Sequence, residues 1–304
     1  MALSPRSGDT NASSSPHGMK WTDVAQLIRL PHQTGTLLLL LPTLWALVLA
    51  SNGHPAWDLV LIFVAGSFFM RSAGVIMNDL ADRKFDRQVT RTRQRPLASG
   101  RMTPYHATIL MIVLLVAAAC LLPWLNGLTI ALSPGALLLA ALYPFSKRVL
   151  HIPQAILGLA FGWGTIMAWA AIRETLDTSA WLVYGATILW AIAYDTIYAL
   201  QDRDDDLKIG VRSSALLFGE HVWIAVAICL SGMLLLLGLA GWLSGVGTVF
   251  YGVLALVGGF MSQQVISVRH QISPAFALRL FQQHVWLGVL ILLGIGLGFV
   301  RYST

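Results

Sequence analysis

Long apolar runs decide most of what this chain can become. They recur near residues 35–51, 57–77, 105–124, 127–145, 152–172, 178–199, 221–243, 248–268 and 281–300 of its 304 residues. A helix needs roughly 20 apolar residues to cross a bilayer. Backbone within lipid must satisfy its own hydrogen bonds, which leaves helices or closed barrels. The runs lack the alternating polarity of barrel strands, so an all-α, polytopic membrane protein of about nine transmembrane helices is expected. Charged residues make up only 11% of the chain, less than half of the ~25% that covers a water-soluble domain.

Residues 1–20 are polar and rich in Ser and Pro, and they read as a disordered tail without a cleavable signal. Residues 21–304 read as one intramembrane domain. Cys120 and Cys229 fall within spans, which indicates neither a disulfide framework nor a thiolate metal site. Trp21, Trp45, Trp57, Trp124, Trp181 and Trp242 lie near span ends, the pattern of an interfacial belt. Gly294, Gly296 and Gly298 sit inside the last span with no strand before them, and read as helix packing rather than a nucleotide loop.

The formal net charge is +6. Its distribution argues against nucleic-acid binding and for membrane topology. Seventeen of the 20 basic residues precede the first span or lie on every other connection, including Arg83 to Arg101, Lys147 and Arg148, Arg203 to Arg212, and Arg269 with Arg279. This positive-inside pattern places the N-terminus and those four loops in the cytoplasm, and it fits an odd number of spans.

Two of these loops also concentrate acid. One reads Asn78-Asp79-Leu80-Ala81-Asp82-Arg83-Lys84-Phe85-Asp86; the other reads Asp202-Arg203-Asp204-Asp205-Asp206. Their shared Asp-Arg-x-x-Asp core pairs Asp82 with Asp202, Arg83 with Arg203, and Asp86 with Asp206. That echo suggests a weak internal duplication of four-helix units. A pseudo-duplicated helical barrel would bring the two motifs face to face.

Asn78, Asp82 and Asp86 recur every four residues, which stacks three oxygen ligands along one stripe of a helix. Asp202 and Asp206 do the same on the second unit. Oxygen-only ligands in this number suit Mg²⁺, a hard ion commonly shared with substrate phosphates. Solvated loop charge is the plainer reading of an isolated acidic loop, but eight of the 14 acidic residues gather at two matching positions. Lys147, Arg148 and Arg212 adjoin these loops and are candidate partners for diphosphate oxygens. Arg71 differs because it lies inside an apolar run two turns before Asn78, where a charge is costly and marks a substrate role or snorkels outward. Tyr143, Tyr194 and Tyr198 are candidates to face a carbocation, or are simply core or belt residues. His151, His221, His270 and His284 show no metal-ligand spacing.

The run from Arg71 to Gly100, with its Asn-Asp-Leu-Ala-Asp-Arg-Lys-Phe-Asp core and Arg95-Pro96-Leu97-Ala98-Ser99-Gly100 close, resembles the intramembrane aromatic prenyltransferases. Tyr194 to Ala199 leading into Asp202–Asp206, then Lys208-Ile209-Gly210 and Ser213–Gly219, is similar to the bacterial 4-hydroxybenzoate polyprenyltransferases within that family. The likeness extends from about Leu30 to the last span. It implies nine helices, Mg²⁺ dependence, transfer from a polyprenyl diphosphate to 4-hydroxybenzoate ortho to its phenol, and a step of ubiquinone biosynthesis at the bacterial inner membrane. It also maps metal binding onto Asn78, Asp82, Asp86, Asp202 and Asp206, the aromatic carboxylate onto Arg148, and phenol activation onto Asp202. The family often has Arg-Leu-Asp-Lys-Pro-Ile-Gly where this chain has Arg29-Leu30-Pro31-His32-Gln33-Thr34-Gly35, which leaves that corner without a clear substrate role.

Prenyltransferases of the same fold acting on dihydroxynaphthoate, homogentisate, haem or chlorophyllide would share the acidic motifs. A transporter would place its charges near the midplane on broken helices, whereas here they collect at one membrane face. The donor's chain length and the oligomeric state have no signature in the sequence.

Overall fold

The structure is a computed structural model that describes residues 20–203 and 213–300, with backbone alone over 147–149. A short helix α1 (Trp21–Leu27) precedes α2 (Thr34–Ala50), α3 (Trp57–Asp86), α4 (Pro104–Ala119), α5 (Gly127–Val149), α6 (Pro153–Arg173) and α7 (Thr178–Ala199). After the second acidic motif come the short α8 (Ser214–Phe218), then α9 (Val222–Leu243), α10 (Thr248–Ser267) and α11 (Pro274–Phe299). Among the described residues, 8 helical segments are long and apolar enough to span a membrane, and the 17-residue α2 is a shorter apolar ninth. The chain is an all-helical, multi-pass membrane protein.

The helix starts follow from local sequence. Thr103 caps α4 ahead of Pro104 at its first position, and Ser273 does the same for α11 ahead of Pro274. Asn126 caps α5 by accepting from the Thr129 amide at 2.9 Å, and Asp177 caps α7. Each cap satisfies amides that would otherwise be orphaned at a membrane boundary.

The core lies where α2, α6, α7 and α11 meet, α7 packing against α2, α6, α9 and α11. Trp45, Trp169 and Trp190 are buried there. Trp45 donates through Nε1 to the Gly288 carbonyl at 3.0 Å, and Trp190 donates to His284 Nδ1 at 2.9 Å. A Cβ on Gly288 would meet Leu41 at 2.8 Å and Trp190 at 2.9 Å; the bare backbone is what admits the indoles. Trp45 is therefore core, not belt, because its indole proton finds a carbonyl on the facing helix. Trp21, Trp57, Trp124, Trp181 and Trp242 are exposed, as a belt requires. Gly294 packs against Val253 and Gly298 against Val246, as expected for helix packing, whereas a Cβ on Gly296 would meet nothing within 4 Å.

The other side of the molecule is thinner. α3 packs on α2, α4 and α5, while α5 packs on α6. A smaller apolar cluster ties α1 (Val24, Leu27) and Ile28 to Ala73 and Ile76 of α3, Leu97 and Met102 of the following loop, and Ala107 and Leu114 of α4. Between this wall and the core runs a cavity.

Candidate functional site

The cavity has a volume of about 890 Å³ and is lined by α2, α3, α4, α5, α6, α7 and α11. Its apolar reach includes Ile62, Phe63, Leu121, Leu137 and Met167. Its polar end holds Arg29, Asn78, Asp79, Arg91, Arg95, Asp195, Tyr198 and Gln201. Asn78 and Asp79 of the first acidic motif thus border the chamber, and Asp202 of the second is tied to its edge through Arg91.

On the α3 side, Asp79 is 1% exposed and sits between two arginines. Arg29 Nη2 donates to its two carboxylate oxygens at 2.9 and 2.8 Å. Arg95 Nη1 donates to Asp79 at 3.0 Å and to Asp86 at 2.9 Å, which bridges the two carboxylates. Arg29 reaches this position at a backbone cost. It follows α1 with φ +58°, the left-handed conformation usually left to glycine. The Leu30 amide there bonds back to the Ala25 carbonyl at 2.8 Å. Such a conformation costs a non-glycine residue about 1–2 kcal/mol, and the two bonds to Asp79 offset it. Burial lowers the Arg29 pKa, with the Asp79 carboxylate opposing. The loop after α3 is fastened further: Thr92 Oγ1 donates to the Asp86 carbonyl at 2.9 Å, Arg87 Nε to the Ala98 carbonyl at 3.0 Å, and Arg101 to Gln26 of α1 at 2.8 Å.

On the α7 side, Asp202 is gripped by a residue of the first loop. Arg91 presents Nε and Nη2 to the two Asp202 oxygens at 3.0 and 2.7 Å, a two-pronged fork, and Nη1 to the Tyr198 hydroxyl at 2.8 Å. Burial works against the Arg91 charge, yet Tyr198 and the Asp202 carboxylate together raise its pKa above the ordinary arginine value. Asp202 stands one turn beyond Tyr198, which lines the cavity.

Arg71 lies deeper, about two turns from Asn78 along α3, and lines the cavity. Its guanidinium carbon is 5.7 Å from the Phe161 ring centre, and its buried Nε has no hydrogen-bond partner among the described residues. Gly35 makes room for it, since a Cβ there would collide with the guanidinium. His32 and Thr34 line the same cavity, so the corner that departs from the family pattern borders the site after all. Tyr143, Tyr194 and Tyr198 all line the cavity too. Tyr194 is wedged edge-on against Trp190 at 5.3 Å, and Tyr198 packs on Phe281 at 4.7 Å.

Asp82 and Asp86 follow Asn78 on α3 as the spacing expects. Lys147 and Arg148 end α5, with side chains outside the described residues. Asp206 and Arg212 also lie outside the described residues. Sequence reasoning missed Arg29, Asp79, Arg91 and Arg95 as a paired network. The only hint was that Arg95 opened a stretch shared with the family. Among the described residues no cluster of three or more His, Cys, Asp or Glu side chains forms a metal site. Asp86 and Asp202 are instead held by arginines. Asn78, Asp82, Asp86 and Asp202 nevertheless offer only oxygen donors, the chemistry a hard divalent cation accepts, and Asn78 borders the cavity.

Comparison with known proteins points the same way. The pattern of the UbiA prenyltransferase family matches residues 39–286. The chain is 50% identical over 277 residues to a 4-hydroxybenzoate octaprenyltransferase of Tolumonas auensis, covering 91% of this chain and 96% of the relative. It is 46% identical over 278 residues to one of Cronobacter sakazakii, covering 91% and 95%. Among solved structures, a UbiA homologue from Aeropyrum pernix superposes with a TM-score of 0.68 at 24% identity, covering 86% of this chain and 96% of that one. A homologue from Archaeoglobus fulgidus bound to DMAPP and Mg²⁺ gives 0.67 at 17% identity, covering 91% and 98%.

Proposed function

The chain belongs to the UbiA prenyltransferase family, and from that membership we propose how its cavity works. The protein is an enzyme that transfers a polyprenyl group from a polyprenyl diphosphate to 4-hydroxybenzoate, a step of ubiquinone biosynthesis. The new bond forms at the ring carbon ortho to the phenol. The observation that carries this reading is one cavity with two unlike ends: an apolar reach suited to an isoprenoid chain, and an end where Asn78 and Asp79 of the first acidic motif stand with Arg29, Arg91 and Arg95, Arg91 reaching across to Asp202 of the second.

Asn78, Asp82, Asp86, Asp202 and Asp206 would hold Mg²⁺, which when bound neutralises the diphosphate and eases its departure. Arg91 and Arg95 line the same end and present fixed donors to diphosphate oxygens. Lys147, Arg148 and Arg212 are the further cations assigned to substrate anions. As the diphosphate leaves with the C–O electron pair, C1 of the prenyl chain becomes electron-deficient. Tyr143, Tyr194 and Tyr198 line its surroundings, and the apolar walls exclude water that would quench it. The electron-rich ortho carbon attacks C1, and the proton it carried is lost to restore aromaticity. Asp202 is assigned the phenol proton. Arg71, which lines the cavity and whose buried Nε has no partner among the described residues, is assigned the acceptor carboxylate that the family resemblance maps onto Arg148.

The positive-inside distribution of the basic loops supports a cytoplasmic position for both acidic motifs, at the bacterial inner membrane. Purified protein incubated with labelled 4-hydroxybenzoate, Mg²⁺ and a series of polyprenyl diphosphates should yield the ortho-prenylated acid. Preferential labelling of dihydroxynaphthoate or homogentisate in a competition assay would replace this acceptor with another.

A further inference from the structure

Glycine in the interior of a helix is unfavourable relative to alanine. In membrane helices it is normally retained because bare backbone lets neighbours approach. Most interior glycines of this protein fit that rule. A Cβ on Gly35 would strike Arg71, one on Gly158 would meet the Ile188 backbone at 2.9 Å, and one on Gly288 would meet Leu41 and Trp190. Gly74 breaks it. A Cβ there would meet nothing within 4 Å, so close packing does not explain the residue. Gly252, Gly259 and Gly296 also meet nothing, but the first two are exposed and Gly296 does not line the cavity. Gly74 instead faces the cavity.

Its place on α3 gives the empty volume a meaning. The cavity-facing stripe of that helix runs through Phe63, Gly66, Met70 and Arg71, then Gly74, then Asn78. Gly74 is three residues after Arg71 and four before Asn78, about one turn, or roughly 5 Å along the axis, from each. Any side chain at 74 would project into the space that separates the buried guanidinium from the diphosphate end. We propose that Gly74 sets acceptor specificity: its missing side chain opens the slot in which the flat ring of a small aromatic acid lies. The carboxylate points to Arg71 and the reactive edge to the Asn78 end. The inference rests on the prenyl-acceptor reading above and assigns that acceptor a place.

Two variants, Gly74→Ala and Gly74→Leu, test the slot. Gly74→Ala should melt no lower than the unaltered protein in detergent, because alanine is the better helix former and meets no neighbour. Its apparent KM for 4-hydroxybenzoate should nevertheless rise roughly ten-fold, the effect of one misplaced methyl in a fitted pocket. Its KM for the polyprenyl diphosphate should stay unchanged. Gly74→Leu should lose calorimetric binding of 4-hydroxybenzoate and keep binding of the diphosphate. A lowered melting temperature with unchanged KM for the acid would make Gly74 a packing glycine and overturn the proposal. So would an equal rise in KM for both substrates. If the unaltered protein failed to prenylate 4-hydroxybenzoate at all, the acceptor reading itself would fall, and the slot as an acceptor site with it. Normal turnover in the unaltered protein with an unimpaired Gly74→Leu variant would sink the slot alone.

Discussion

The two acidic corners look equivalent in sequence and are built differently. At the end of α3, Asp79 is 1% exposed and shares two arginines with its surroundings, one of which also holds Asp86. Beyond α7, Asp202 is 20% exposed and depends on Arg91, which the first corner's loop supplies. The first corner is a buried, self-contained lattice anchored to α1 and α4 by an apolar cluster. The second is closed from across the cavity. Equal charge patterns are therefore built differently: one corner is a buried framework, and the other is a more exposed pair closed by Arg91.

The largest test asks whether both corners serve one site. Asp82→Ala and Asp206→Ala should each lower kcat by about 10²–10³-fold, the scale for losing a group that stabilises developing charge, while the protein stays folded. Near-normal turnover of either variant at limiting Mg²⁺ would separate the corners. The next test separates stability from chemistry. Asp79→Asn leaves Arg29 and Arg95 short of a buried counter-charge and should cost about 3 kcal/mol. Asp202→Asn breaks a more exposed pair and should cost no more than about 1 kcal/mol, yet should lose most turnover. Similar melting temperatures for the two variants would erase the distinction drawn here. The smallest effect belongs to Arg91→Lys, which removes the fork but keeps the charge. Its stability loss should be under about 1 kcal/mol and should shrink as salt is raised. A salt-independent loss would mean that Arg91 is part of the rigid framework too.

The contrast also marks what the sequence could convey. The apolar runs dictate the spans directly, because lipid leaves the backbone no alternative to helix. The every-fourth spacing of Asn78, Asp82 and Asp86 is equally direct, since helical geometry makes a stripe of it. Asp79 is one residue off that stripe, about 100° around the helix, and its partners lie 50 and 16 residues away. No local pattern announces such pairs. Arg91 and Arg95 were hidden by their own abundance, since a positive-inside loop is full of arginines whatever else they do. Trp45 misled for a related reason: an indole near a span end looks like a belt residue until the facing carbonyl of Gly288 is known. Gly74 was invisible because its evidence is empty space.

The lopsided burial of the spans has a bearing on how the enzyme should be assayed. In α7, 61% of the apolar stretch is buried within the protein, against 11% in the segments that contain α4 and α5. Those two helices nonetheless supply the cavity with Leu115, Leu137 and Ala140. Part of the chamber's outer wall is thus one helix thick, with acyl chains for its backing. A donor whose tail is itself hydrocarbon meets this wall from the same fluid. Its availability is then a mole fraction among lipids rather than a concentration in water. Diluting proteoliposomes with buffer should leave the rate per enzyme unchanged, whereas diluting the donor with extra phospholipid should slow it.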